Sequence, residues 1–201
     1  MRPIRNVCVI IDALDFCNPN TESMYKNIIT FLDNSTWLID TVILSSTNVP
    51  YDEYLNSKNW IYNKKFHNEK IKNLEECGHK PMFRTNPKFL NYKNKDYNQY
   101  IAQFPEDIHN IKSARSVFYA GCCFDSCVRN GPFGYQWFVE NTKTRIFTKP
   151  DLLMNENKQA PNLENNSNWK SCKLSGDNFC QIFKGHFYEY RRYFYKSIME
   201  L

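Results

Sequence analysis

The stretch Val117-Phe118-Tyr119-Ala120-Gly121-Cys122-Cys123-Phe124-Asp125-Ser126-Cys127-Val128 decides the fold, because it reads as a buried strand running into a tight turn and then a helix. An apolar, β-branched and aromatic run that stops at a glycine is the pattern of a strand covered on both faces. Asp125 opens the helix and puts Cys127 in its first turn. Unpaired N–H groups and the positive end of the helix dipole gather there, so a thiol is biased toward the thiolate and faces ready-made anion donors. That is the position of a nucleophile. Working outward, Val7-Cys8-Val9-Ile10-Ile11 is a second apolar run and ends abruptly in Asp12, as strand one of an open parallel sheet would. Such sheets bind ligands outside the carboxyl ends of their strands, so Asp12 and Cys127 are expected to share one crevice.

Along the rest of the chain, apolar β-branched runs alternate with helical patterns, the signature of a doubly wound α/β sheet. Strands are expected at 7–11, 41–46, 81–84, 116–120 and 144–148. Thr21 is expected to cap a helix reaching about Leu32, with Met24, Ile28 and Phe31 or Leu32 at helical spacing. Further helices are expected at 67–77, stopped by Gly78, near 96–104, and from Asp125 to about Glu140, the last kinked or split by Gly131-Pro132. Residues 50–63 are ambiguous. The organisation is then an α/β domain over 1–153, a polar, Asn-rich loop or excursion over 154–178, and an aromatic, basic C-terminal helix over 179–201. In that helix Phe187, Tyr190, Phe194, Ile198 and Leu201 form one apolar stripe, with Arg191, Arg192 and Lys196 between them.

With 201 residues, 42% of them hydrophobic, the chain suits one domain with a substantial core. Its net charge of +5 comes from 26 basic and 21 acidic residues spread along the sequence, unlike the blocky basicity of a dedicated nucleic-acid binder. No apolar run approaches the roughly 20 residues needed to span a bilayer, and Met1-Arg2-Pro3-Ile4-Arg5 leads straight into strand one. A soluble, intracellular protein, most simply cytoplasmic, is expected. Eight cysteines in such a chain read as reduced, buried small hydrophobes rather than a disulfide framework. The histidines His67, His79, His109 and His186 are scattered, and Cys122, Cys123 and Cys127 lack a second CxxC, so neither a metal nor a cofactor is expected.

Three features together carry a family resemblance: strand one ending in Asp12, the turn Gly121-Cys122-Cys123-Phe124-Asp125-Ser126-Cys127-Val128, and their order. The turn is similar to the G-x-x-T-D-x-C-V motif of the isochorismatase-like hydrolase superfamily, whose cysteine-bearing branch includes nicotinamidases and carbamoyl-amide hydrolases. The resemblance covers roughly residues 4–153. It implies a three-layer α/β/α sandwich around a mostly parallel sheet of five to six strands, a small-molecule substrate and a homo-oligomer. It also implies Cys127 as nucleophile, Asp12 as the carboxylate accepting its proton, and a cis peptide between Cys122 and Cys123. The backbone N–H groups of Cys123 and Cys127 would then form the oxyanion hole, worth roughly 3 kcal/mol per donor in other enzymes.

The sequence departs from the family's pattern at three places. The family's catalytic lysine stands five positions before an aromatic residue; here Arg84 stands five before Phe89, with Lys88 nearby in poorer register. Arginine keeps the positive charge, but its larger planar fork does not give up a proton at neutral pH. The family has a glutamine two positions after its aspartate and an aromatic residue five after it, whereas here Leu14 and Phe16 stand two and four positions after Asp12. The pocket, with Phe16 and Phe89 in its wall, therefore has its own shape. Ser45-Ser46-Thr47-Asn48-Val49-Pro50 offers none of the D-x-H ligands of the metal-bearing nicotinamidases.

Two further readings stand beside the hydrolase. One is an isochorismatase-like domain without catalysis, a structural or binding subunit whose protein partner engages the 179–201 tail. The other has the tail's tyrosines and arginines binding nucleic acid, against which stands the ordinary fate of such a face, a docking helix with a solvated basic side.

Overall fold

The computed structural model describes residues 4–11, 19–45, 61–62, 91–102, 104–122, 124, 126–155, 157, 159–163, 166 and 168–182. They form a mixed α/β protein on a single sheet of eight strands, mostly parallel. In chain order the strands are β1 (Asn6–Ile11), β2 (Thr41–Ser45), β3 (Ile61–Tyr62), β4 (Asn98–Ile101), β5 (Ser116–Gly121), β6 (Arg145–Leu153), β7 (Trp169–Leu174) and β8 (Asp177–Ile182). Across the sheet they run β3-β4-β2-β1-β5-β6-β8-β7. All contacts from β3 to β6 are parallel; β8 runs antiparallel to both β6 and β7.

The central strands are continuous apolar runs because both faces of the sheet are covered. Val7, Val9, Val117, Tyr119 and Ile146 belong to one buried cluster with Phe133, Tyr135 and Phe138. Cys8, Ile10, Val42, Leu44, Phe118 and Phe147 belong to the other, with Met24, Tyr25, Ile28, Phe31 and Leu32 of helix α1 (Pro19–Asn34). Burying each of these large α1 side chains contributes about 1.5–3 kcal/mol in transfer terms. Phe118 stacks on Phe147 at 5.2 Å, and Phe179 meets both edge-on, so the β8 strand closes this core.

The expected strands near 7–11, 41–46, 116–120 and 144–148 appear as β1, β2, β5 and β6, the last reaching Leu153. Thr21 lies inside α1, which begins at Pro19, and so does not cap it. The segment expected as a helix near 96–104 is instead the strand β4, followed by a short 3-10 turn at Pro105–Asp107. Its Gln99, Tyr100, Ile101 and Ala102 are all buried, and a short apolar run of this kind cannot be told from a helix by periodicity. The expected helix 125–140 is split. Helix α2 (Cys127–Asn130) is one turn, and α3 (Tyr135–Asn141) follows after Gly131-Pro132. A side chain on Gly131 would come within 2.4 Å of the Cys127 carbonyl, against which the chain folds back.

The excursion expected over 154–178 contains β7 and the turn Ser175-Gly176, both residues at positive φ, which joins β7 to β8 as a two-residue hairpin. Residues 179–182, expected to begin the terminal helix, belong to β8; 183–201 lie outside the described residues, as do the segments 67–77 and 81–84. The sheet thus exceeds the expected five to six strands through β3, β4 and the hairpin.

Candidate active site at the carboxyl end of the sheet

Parallel register brings the ends of β1 and β5 together. Ile11 pairs with Gly121, and the amide of Cys122 donates to the Ile11 carbonyl at 2.9 Å. Gly121 has φ 108°, and a Cβ there would lie 2.0 Å from that same oxygen, so only glycine permits the approach. The end of β6 completes the junction. Its pairing with β5 shifts register between Tyr119 and Gly121, after which the Met154 amide donates to the Gly121 carbonyl at 3.0 Å. The Met154 carbonyl accepts from the Phe124 amide at 2.8 Å, and the buried Thr21 hydroxyl donates to the Met154 sulfur at 3.8 Å. The turn after β5 is therefore held by β1, by β6 and by the first turn of α1.

Phe124 anchors this turn from below. It is 3% exposed and packs on Trp169 at 5.9 Å, which meets Tyr135 edge-on at 5.5 Å. Val128, on α2, is buried, while Cys127 is half-buried and packs against the same cluster. The Ser126 hydroxyl donates to the Cys127 sulfur at 3.8 Å. Cys122 and Cys8 are buried, and burial pushes the Cys8 thiol up to about 12, which keeps it inert. Cys127 is thus the described cysteine at this end of the sheet that combines a place in the turn with partial exposure.

The dipole expected from a helix of four turns comes from a single turn in α2, whose few aligned peptides carry little of it. What remains is local: the N–H groups of a first turn and the Ser126 hydroxyl.

Of the residues singled out in the sequence, Cys127 is described; Asp12, Phe16, Arg84, Phe89 and Cys123 lie outside the described residues, and with them the Cys122–Cys123 peptide. Asp12 is the next residue in the chain after Ile11. Thr21, Ser126 and Met154 also shape this end of the sheet. Thr21 carried only a capping signal, and Ser126 and Met154 carried none. Among the described residues no group of three or more His, Cys, Asp or Glu side chains is placed to hold a metal, and no helix is long and apolar enough to cross a membrane.

No protein-family model and no curated protein matches the sequence. Among solved structures, the chain is similar to Streptococcus pneumoniae Sp1610, a proposed tRNA (m1A22) methyltransferase, at 12% identity and a TM-score of 0.31. The match covers 89% of this chain and spans 63% of that structure's length.

Proposed function

We propose that the chain is an isochorismatase-like cysteine hydrolase, a doubly wound α/β/α sandwich that cleaves a small amide or other C–N bond through a Cys127 thioester. The observation that carries this reading is the half-buried Cys127 in a turn tied to the end of β1, one residue before Asp12. In the proposed reaction Asp12 accepts the thiol proton and Cys127 Sγ attacks the amide carbon. The oxyanion takes hydrogen bonds from the Cys123 and Cys127 N–H groups. Collapse breaks the C–N bond, and the leaving amine takes the proton held on Asp12. Water, deprotonated by the same carboxylate, then cleaves the thioester, releasing the acid and restoring the thiol. Arg84 supplies positive charge beside the two ionised groups, and Phe16 and Phe89 shape the pocket. The protein acts in this reading as a soluble intracellular homo-oligomer.

The test is alkylation by a limiting thiol reagent across pH, with each modified cysteine mapped by peptide mass, followed by an amide-substrate screen. Cys127 is expected to react first, with an apparent pKa below the free value of about 8.5. Cys127→Ser and Asp12→Asn are each expected to abolish turnover while preserving the fold; full activity in either removes the mechanism. The brevity of α2 favours a second reading, a catalytically silent domain of the same fold that serves as a subunit of an assembly through its 179–201 tail. It predicts an unreactive Cys127 and an assembly that is lost on truncating that tail.

A further inference from the structure

The opposite end of the sheet gathers groups that the chain keeps far apart. Arg5 immediately precedes β1, Arg115 precedes β5, and Arg145 is the first residue of β6. Their backbones are linked directly: the Arg115 amide donates to the Arg5 carbonyl at 2.6 Å and the Arg145 amide to the Arg115 carbonyl at 3.0 Å. All three side chains are exposed, and no carboxylate among the described residues forms an ion pair with them. The Arg145 guanidinium donates to the Ser116 hydroxyl at 3.5 Å and lies 5.7 Å from the centre of the Phe147 ring. Among the described residues Asp40 lies beside Arg5, and its carboxylate is turned to local structure, accepting from the Arg5 and Asn6 amides and the Thr41 hydroxyl.

The next position along this rim is aromatic. Trp37 lies in the turn leading into β2, and that turn is tied to β1 by the Asn6 side chain, which donates to the Leu38 carbonyl at 2.8 Å. The indole is 58% exposed, the exposed large hydrophobic residue among those described, and its N–H donates to the Asn34 carbonyl at 3.0 Å, which fixes the ring. Because the strand order is β2-β1-β5-β6, the rim reads Trp37, Arg5, Arg115, Arg145. Three strand spacings of about 4.8 Å give a span of roughly 14 Å.

We propose that this rim binds single-stranded nucleic acid, with the arginines on successive phosphates and Trp37 stacked on a base. Guanidinium groups with no carboxylate partner among the described residues match phosphate oxygens in fork geometry, and a fixed, exposed indole offers any base a stacking face. The span corresponds to about four nucleotides at the 3.4 Å repeat of a stacked strand. A protein partner is the less suitable occupant, since among the described residues Trp37 is the exposed large hydrophobic side chain and the rim has no apolar centre around it, whereas a phosphate backbone needs none.

The test is fluorescence anisotropy of a labelled oligouridylate with the full chain over a salt series. Affinity is expected to fall log-linearly with salt, by about 0.7 in slope per phosphate engaged. The triple variant Arg5→Gln/Arg115→Gln/Arg145→Gln should reduce the slope by about two and the affinity at least tenfold. Trp37→Ala should weaken binding about tenfold at unchanged slope, and it carries the test should the triple variant fold poorly. Lys26→Gln/Lys149→Gln/Lys173→Gln removes equal charge elsewhere and should change little. No salt-dependent binding, an equal loss in the lysine control, or indifference to Trp37→Ala overturns the proposal. Displacement of the oligonucleotide by an acidic peptide that also ignores Trp37→Ala transfers the rim to an acidic protein and overturns it as well.

Discussion

The two ends of one sheet are built on opposite principles. At the carboxyl end, backbone meets backbone: Ile11, Gly121 and Met154 are tied together by backbone hydrogen bonds, and Phe124 is sunk into the core. At the amino end the backbone is linked just as directly, yet the side chains of Arg5, Arg115 and Arg145 stand in solvent. Parallel strands force this separation, since they start at one rim and finish at the other whatever lies between them in sequence. The contrast teaches that the carboxyl end is sensitive to shape, while the amino end is sensitive to charge.

The largest effect should come from breaking the shape. Gly121→Ala places a Cβ on the Ile11 carbonyl at a φ of 108°, and is expected to cost about 4 kcal/mol or more in urea denaturation. Gly176→Ala is its control: φ is also positive, at 93°, but nothing lies within 4 Å, so only about 1–2 kcal/mol should be lost. Similar losses at both positions would show that the junction with Ile11 is not tight.

Next in size is an alkaline effect on the shared core. Burial raises the Cys8 thiol from 9.0 to about 12 in the folded protein. Its contribution to stability is complete below the unfolded value and is lost as pH rises from about 9 toward 12, because only the unfolded chain releases the proton there. The decline should be steeper than in Cys8→Ala by about 1.4 kcal/mol per pH unit within that window, read from denaturation midpoints between pH 9 and 11.

Smaller still, Thr148→Val removes the buried hydroxyl that donates to the Tyr119 carbonyl at 2.7 Å, where β6 leaves register with β5. A loss of about 1 kcal/mol is expected by the same denaturation assay. The smallest change belongs to the amino rim. Arg115→Gln should alter stability by no more than about 0.5 kcal/mol, and a larger loss would mean that this end too is held by its side chains.

Legibility in the sequence follows the same division. Central strands β1, β2 and β5 were readable because burial on both faces leaves a continuous apolar run, and the place of Cys127 beyond β5 followed from them. Strand β4 was not, since four buried residues ending in Ile101-Ala102 satisfy either period. Nor was the hairpin: Trp169-Lys170-Ser171-Cys172-Lys173-Leu174 is mostly polar because one edge faces water, and its strongest signal was the Ser175-Gly176 turn. The clamp by Met154 depends on three separate segments meeting at one point, which no local pattern encodes. The arginine rim was invisible for a related reason, as its members looked like evenly scattered charge until the strand order set them side by side.

The pairing of Ile11 with Gly121 joins positions separated by more than half of the chain, with β1 inserted between β2 and β5. A ribosome delivers β1 before either of its neighbours, and the second neighbour arrives only after β2, β3 and β4 have emerged. The nascent chain must therefore carry one open, strongly apolar flank until β5 has been made, a state prone to wrong pairing and to capture by chaperones. The turn that carries Cys127 is clamped by Met154 at the end of β6, so it takes its shape only after β1, β5 and β6 have all been made.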